Sequence, residues 1–92
     1  MSKKRDRLEI IKDILEILRD KGEKVKPTHI MYKANLSHVM LKEYTQELVK
    51  KKLIEEKQTK KGKKRFVLTQ KGFSYLKDYS IIRGFVDSYG LE

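Results

Sequence analysis

Two histidines, His29 and His38, are the chain's ring nitrogens, and they stand nine residues apart without a third clustered ligand. A zinc site needs three or four such groups at short spacing, so no metal is expected, and His38 better suits contact with a phosphate or a base edge. Cysteine is absent, which excludes thiolate metal sites, disulfides and cysteine nucleophiles and fits a reducing cytoplasm. Lys61-Gly62-Lys63 lacks both the spacing and the hydroxyl residue of a phosphate-binding P-loop. The carboxylates fall mostly at helix-surface spacings beside lysines, where ordinary i,i+4 pairing explains them. No nucleophile is coupled to a base in a motif. The sequence predicts no enzyme, no cofactor and no small-molecule ligand.

Charge is the chemistry that remains. The 92 residues carry a formal net charge of +10, a field that draws polyanions. A lysine-rich surface can also be merely solubilising, as in heat-adapted proteins, but that reading predicts an even spread. Here Lys57–Lys71 holds seven basic residues and no acid, and none of the residues between Glu23 and Glu43 is acidic. The N-terminal third, by contrast, mixes both signs. Segregated positive charge points to nucleic acid. The charged MSKKRDR start, with no apolar stretch after it, predicts no secretory signal. No apolar run approaches the roughly 18 residues of a membrane span. A soluble, cytoplasmic, nucleoid-associated protein is expected.

The elements that must place this charge follow from periodicity. Residues 3–21 read as a first helix, with Leu8, Ile10, Ile11, Ile14, Leu15, Ile17 and Leu18 apolar and Gly22 ending it. Its apolar arc covers about half the circumference, wider than the ~100° one small core requires, which predicts burial on a second side by another chain. Val25 is expected to pair briefly with a later strand. Pro27 suits a helix start, giving a second helix over Thr28–Ala34, with Ile30 and Met31 inward. Asn35 suits a left-handed turn, Leu36 plugs the corner, and Ser37 caps a third helix. Leu41, Tyr44, Thr45 and Leu48 share its inner face; His38, Val39, Lys42, Glu43 and Gln46 lie on or beside the outer one. Leu53–Thr59 and Lys64–Leu68 read as strands joined at Lys60-Lys61-Gly62-Lys63.

A helix-turn-helix followed by a β-hairpin is a winged helix. The fold class is therefore mostly α with a small β-hairpin: a winged helix-turn-helix over 1–69, followed by a C-terminal dimerisation helix in 70–92. Thr69 caps that last helix, and Tyr75, Tyr79, Ile82, Val86 and Tyr89 follow the 4-3-4-3 spacing of a coiled-coil seam, widened by Phe85. Gly84 is expected to interrupt it, and Leu91-Glu92 is assigned no role.

The stretches LEIIKDILEIL, THIMYKANLSHVMLKEYTQELVKKKLIEE and FVLTQKGFSYL resemble small archaeal winged-helix DNA-binding proteins of the Sulfolobus ten-a type. The likeness runs nearly unbroken to Leu76, with IMYKANLS and LTQKG its most specific parts. It implies an antiparallel homodimer through the C-terminal helices, presenting two recognition helices to duplex DNA. The short, interrupted final helix departs from that pattern.

Double-stranded DNA binding is thus the expected function, as a nucleoid-associated (architectural) protein or a transcriptional regulator. Ser37, His38, Val39, Lys42, Glu43 and Gln46 would face the bases, with Gln46 suited to adenine and Lys42 to guanine. Glu43 could accept from a cytosine amine, but it reads better as an ordinary exposed helix charge paired with Lys42 or Lys50. Lys60, Lys61, Lys63, Lys64 and Arg65 would grip backbone or minor groove from the wing, and Lys26, Thr28 and Lys33 would hold flanking phosphates. Of the 23 basic residues 18 are lysine and none on the third helix is arginine. Lysine lacks arginine's two-pronged match to guanine, which favours weak sequence preference. The alternative is a protein–protein assembly module without direct DNA contact; RNA is less suited, because Phe66 alone in the wing offers no stacking platform.

Overall fold

The structure, a computed structural model, describes residues 6–90. Helix α1 spans Arg7–Lys21 and is capped by Asp6, whose carboxylate accepts the Glu9 N–H at 2.8 Å. Residues 3–5 of the expected helix lie outside the described residues. Gly22, at φ 64°, ends α1 and opens a single 3-10 turn over Gly22–Lys24. The wide apolar arc of α1 has an explanation different from the one expected. Ile10, Ile11, Ile14, Leu15 and Leu18 are all buried within this chain, because α1 packs on α2 and β2 and also on α4. Its second cover is the chain's own last helix.

Helix α2 runs over Pro27–Lys33, one residue earlier than expected because Pro27 occupies its first turn, where a missing N–H costs nothing. Asn35 takes the left-handed turn conformation at φ 56°. Leu36 then donates its N–H to Met31 at 2.9 Å and enters the core. Helix α3, His38–Lys50, begins under the Ser37 cap, whose Oγ accepts the Met40 N–H at 3.1 Å. Strands β1 (Ile54–Gln58) and β2 (Lys64–Leu68) form an antiparallel ribbon in which Ile54 pairs with Leu68 and Gln58 with Lys64. Val25 is buried, but the sheet is β1–β2 alone among the described residues. Its pairing with a later strand is not found.

Helix α4 spans Gln70–Ser88 unbroken, which corrects the expected interruption at Gly84. Glycine lowers helix propensity by about 1 kcal/mol but keeps its backbone N–H, so one glycine in a flanked helix does not stop it. The Arg83–Asp87 pair spans that turn, and it is Gly90, at φ 68°, that follows the helix end. At the other end Thr69 locks α4 to the α3–β1 corner. Its N–H and hydroxyl both reach the Leu53 carbonyl, at 3.2 and 2.9 Å, while its Oγ1 accepts the Gly72 N–H at 3.1 Å. The core joins all these elements: Ile14, Leu15, Leu18, Ile30, Leu48 and Ile54 are its largest fully buried side chains.

Candidate nucleic-acid interface

On α3 the burial pattern divides the helix as its periodicity requires. Leu41, Thr45 and Leu48 are buried, and the Thr45 hydroxyl is occupied by the Leu41 carbonyl at 2.9 Å. His38, Val39, Lys42, Glu43 and Gln46 are exposed, Val39 by 66%. An exposed valine on a charged face is apolar surface available to a thymine methyl group. Ser37 differs from its neighbours in the expected set. Its oxygen is committed to the cap, which leaves its O–H proton as the group it can offer outward.

The wing turn is tied by Thr59, which donates its N–H to the Lys63 carbonyl and accepts the Gly62 N–H, both at 2.8 Å. Gly62 sits at φ 78°, where a side chain would be strained. Lys60, Lys61, Lys63 and Lys64 are exposed around this turn. Side chains alternate along a strand, so the buried Phe66 puts Lys64 on the face turned to α3 and Arg65 on the opposite face. Accordingly Lys64 and Phe66 line one groove with Lys42, Thr45, Gln46 and Val49 of α3. Lys64 also lines the adjoining hollow, with Pro27, His38 and Val39. Arg65 is half-buried, with its guanidinium donating to the Lys64 carbonyl at 2.9 Å. The structure therefore joins α3 to the wing through Lys64, and it sets Arg65 apart.

Lys26, Thr28 and Lys33 are all exposed, but they do not form one group. Lys26 precedes α2, with its carbonyl accepting the His29 N–H at 2.9 Å. Lys33, at the far end of α2, lines a hollow with Asp13, Glu16 and Asp20 of α1. A phosphate there would meet three carboxylates.

Two residues not anticipated from the sequence matter. Glu56 lies in the α3–wing groove, its carboxylate 3.9 Å from the Lys64 ammonium. The alternation from buried Ile54 could have placed it there. Arg7 braces the other flank of α3: its guanidinium pairs with Glu47 and lies 5.7 Å from the Tyr44 ring centre. No local pattern links Arg7 to residues forty positions away.

Along α4 the expected seam splits in two. Tyr75 packs against the core, and burial pushes its phenol above the ordinary range, with Tyr79 adding to the shift. Tyr79 stacks on Tyr75 at 6.2 Å and lies beneath Lys12 of α1. Further along, Ile82, Phe85 and Tyr89 are 60, 63 and 75% exposed, with Ile81 beside them and Val86 half-buried. Among the described residues no group of three His, Asp or Glu side chains could hold a metal, and no helix is long and apolar enough to cross a membrane.

A helix-turn-helix whose second helix shares a groove with a basic β-ribbon defines a winged helix. The chain belongs to the winged helix-turn-helix family, whose profile matches residues 4–85. Among solved structures it is similar to Sso10a-2, a DNA-binding protein from Sulfolobus solfataricus. The two share 27% identity over 94% of this chain and 90% of that one, with a TM-score of 0.71. F93 from STIV, a winged-helix DNA-binding protein, is 20% identical over 86% of this chain and 90% of its own, with a TM-score of 0.68. MepR, a transcription regulator of the Staphylococcus aureus multidrug efflux pump MepA, is 16% identical over 87% of this chain and 60% of its own, with a TM-score of 0.75. These last two likenesses show the fold alone. No curated protein sequence matches the chain.

Proposed function

We propose that the protein binds double-stranded DNA as a homodimer, with α3 in the major groove and the wing on the flanking backbone. The observation that carries this reading is the shared groove: Lys42 and Gln46 from α3 and Lys64 from β2 line one concavity beside the exposed wing lysines. His38, Val39, Lys42 and Gln46 are the base-facing set, with Glu43 an exposed charge at its border and Ser37 offering a hydroxyl. Lys60, Lys61, Lys63 and Lys64 hold phosphates from the wing, with Arg65 on the ribbon's other face, and Lys26 and Thr28 do so from α2. Lys33 balances the carboxylates of α1. The DNA-binding character of Sso10a-2, at 27% identity, supports the same assignment.

The role is binding and not catalysis, and the expected place of action is the cytoplasm, on the nucleoid. With lysine dominant and no arginine on α3, affinity is mostly electrostatic and sequence preference weak. An architectural role comes first and a site-specific regulator second. The dimer is proposed to form through the outer half of α4. Contiguous exposed apolar patches larger than a few hundred Å² mark interaction sites, and Ile81, Ile82, Phe85 and Tyr89 are large apolar side chains left exposed on this helix.

Selection from random duplexes tests the reading. An architectural protein gives winners within about tenfold of bulk DNA, whereas a regulator exceeds it by roughly a thousandfold. Failure to retain any duplex at low salt would contradict DNA binding and favour an assembly role.

A further inference from the structure

Beside the groove lies a second basic surface. Lys21 from the end of α1, Lys24 from the 3-10 turn, and Lys26 and His29 at the start of α2 line a single concavity around Val25. The position is fixed: Val25 is buried and donates its N–H to Gly22, and Glu23 pairs with Lys57 of the wing at 3.8 Å. Among the described residues none of these three lysines has a carboxylate within 4 Å, whereas Lys12, Lys57 and Lys64 each do. A lysine at a helix C-terminus complements the helix dipole. That accounts for Lys21 and leaves Lys24, Lys26 and His29 lining the cup with no ion pair among the described residues.

We propose that this cup holds phosphates of the same duplex, beyond the footprint of α3 and the wing. The two surfaces meet at the start of α2, because Pro27, next to Lys26, lines the hollow that also holds His38, Val39 and Lys64. A backbone leaving the groove past Pro27 arrives at Lys26 and His29, and then at Lys24. Lys21 marks the end of the path, since on its far side stand Asp13, Glu16 and Asp20. Lysine serves as a point charge for phosphate and reads no sequence, so the cup lengthens the footprint without adding base preference. The inference rests on the proposed DNA binding.

The test is a titration of the whole protein with duplex DNA, followed by amide chemical shifts, joined to salt-dependence measurements. Shifts at Lys42, Gln46 and Lys63 report the groove and wing; shifts at Lys24, Val25 and His29 report the cup. Both sets are expected to move together. Movement of the groove alone overturns the cup, and movement of neither overturns the DNA reading itself. Lys21→Gln with Lys24→Gln is expected to flatten the slope of log affinity against log salt by nearly 2, since each phosphate no longer neutralised removes about 0.9. Lys51→Gln with Lys77→Gln removes the same charge from exposed positions elsewhere and is expected to leave the slope within about 0.5. Equal flattening by both pairs would reduce the cup to net charge. Inorganic pyrophosphate separates the ligand source: cup shifts with pyrophosphate but none with duplex would overturn the backbone assignment.

Discussion

Glu56→Gln is expected to tighten duplex binding, although it removes a charge from the proposed binding surface of a stable ribbon. Glu56 shares the groove with Lys42, Gln46 and Lys64, and its carboxylate is 3.9 Å from the Lys64 ammonium. A phosphate must displace that carboxylate to use Lys64, and then sits near it. The side chains are 43% and 58% exposed, so solvent screens the pair, and exposed pairs of this kind are worth about 0.2–1 kcal/mol. A phosphate some 7 Å from the carboxylate adds roughly 0.6 kcal/mol of repulsion at the dielectric of water. Together these give about 1 kcal/mol, or close to fivefold in affinity. Fluorescence anisotropy at fixed salt, with wild type, Glu56→Gln, Lys64→Gln and the double variant, measures it. Because Glu56 competes for Lys64, Lys64→Gln should weaken the Glu56→Gln protein more than it weakens wild type. Weaker binding by Glu56→Gln, or additive effects across the cycle, would refute the reasoning.

Two further changes probe the scaffold. A Cβ on Gly72 would lie 2.4 Å from the Leu53 carbonyl oxygen and from a Leu68 methyl. Overpacking of about 3 kcal/mol outweighs the ~1 kcal/mol gain in helix propensity, so Gly72→Ala should lower the Tm by about 10 °C. An unchanged thermal melt would mean that α4 is not seated as described. Ile82→Glu with Phe85→Glu should reduce a dimeric light-scattering mass to that of a monomer, because both side chains are mostly exposed on α4. The same mass for wild type and variant, whether monomer or dimer, would remove these residues from an interface.

The helix-turn-helix is legible in the sequence because its signals are local. Pro27, Asn35, Ser37 and the spacing of Leu41, Thr45 and Leu48 each carry a fixed structural meaning, and the structure keeps all of them. The basic turn around Gly62 is legible for the same reason. What depends on tertiary packing is not. The broad apolar arc of α1 implies a second covering surface, but a helical period does not say whose, and α4 of the same chain supplies it. Tyr75 and Tyr79 fit a coiled-coil spacing, yet they lie where α4 still crosses α1, so the seam spacing alone overstates the free surface. Gly84 reads as a helix stop in the sequence, although only proline removes the hydrogen bond that a helix needs. Lys33 and Arg65 group with their neighbours along the chain, and the ends of α2 and the alternation of β2 send them elsewhere. Arg7 lies next to α3 only through the fold.

Binding of duplex DNA by Lys60→Gln, Lys61→Gln, Lys63→Gln protein, measured across a range of salt concentrations, tests the account most directly. If about six phosphates are neutralised, wild type should show a log–log slope near −5, and the triple variant should be shallower by roughly 2.7, at about 0.9 per phosphate. Its fold should be unchanged, since all three side chains are exposed. An unaltered slope and affinity in a folded variant would contradict the claim that this winged helix grips DNA through its wing.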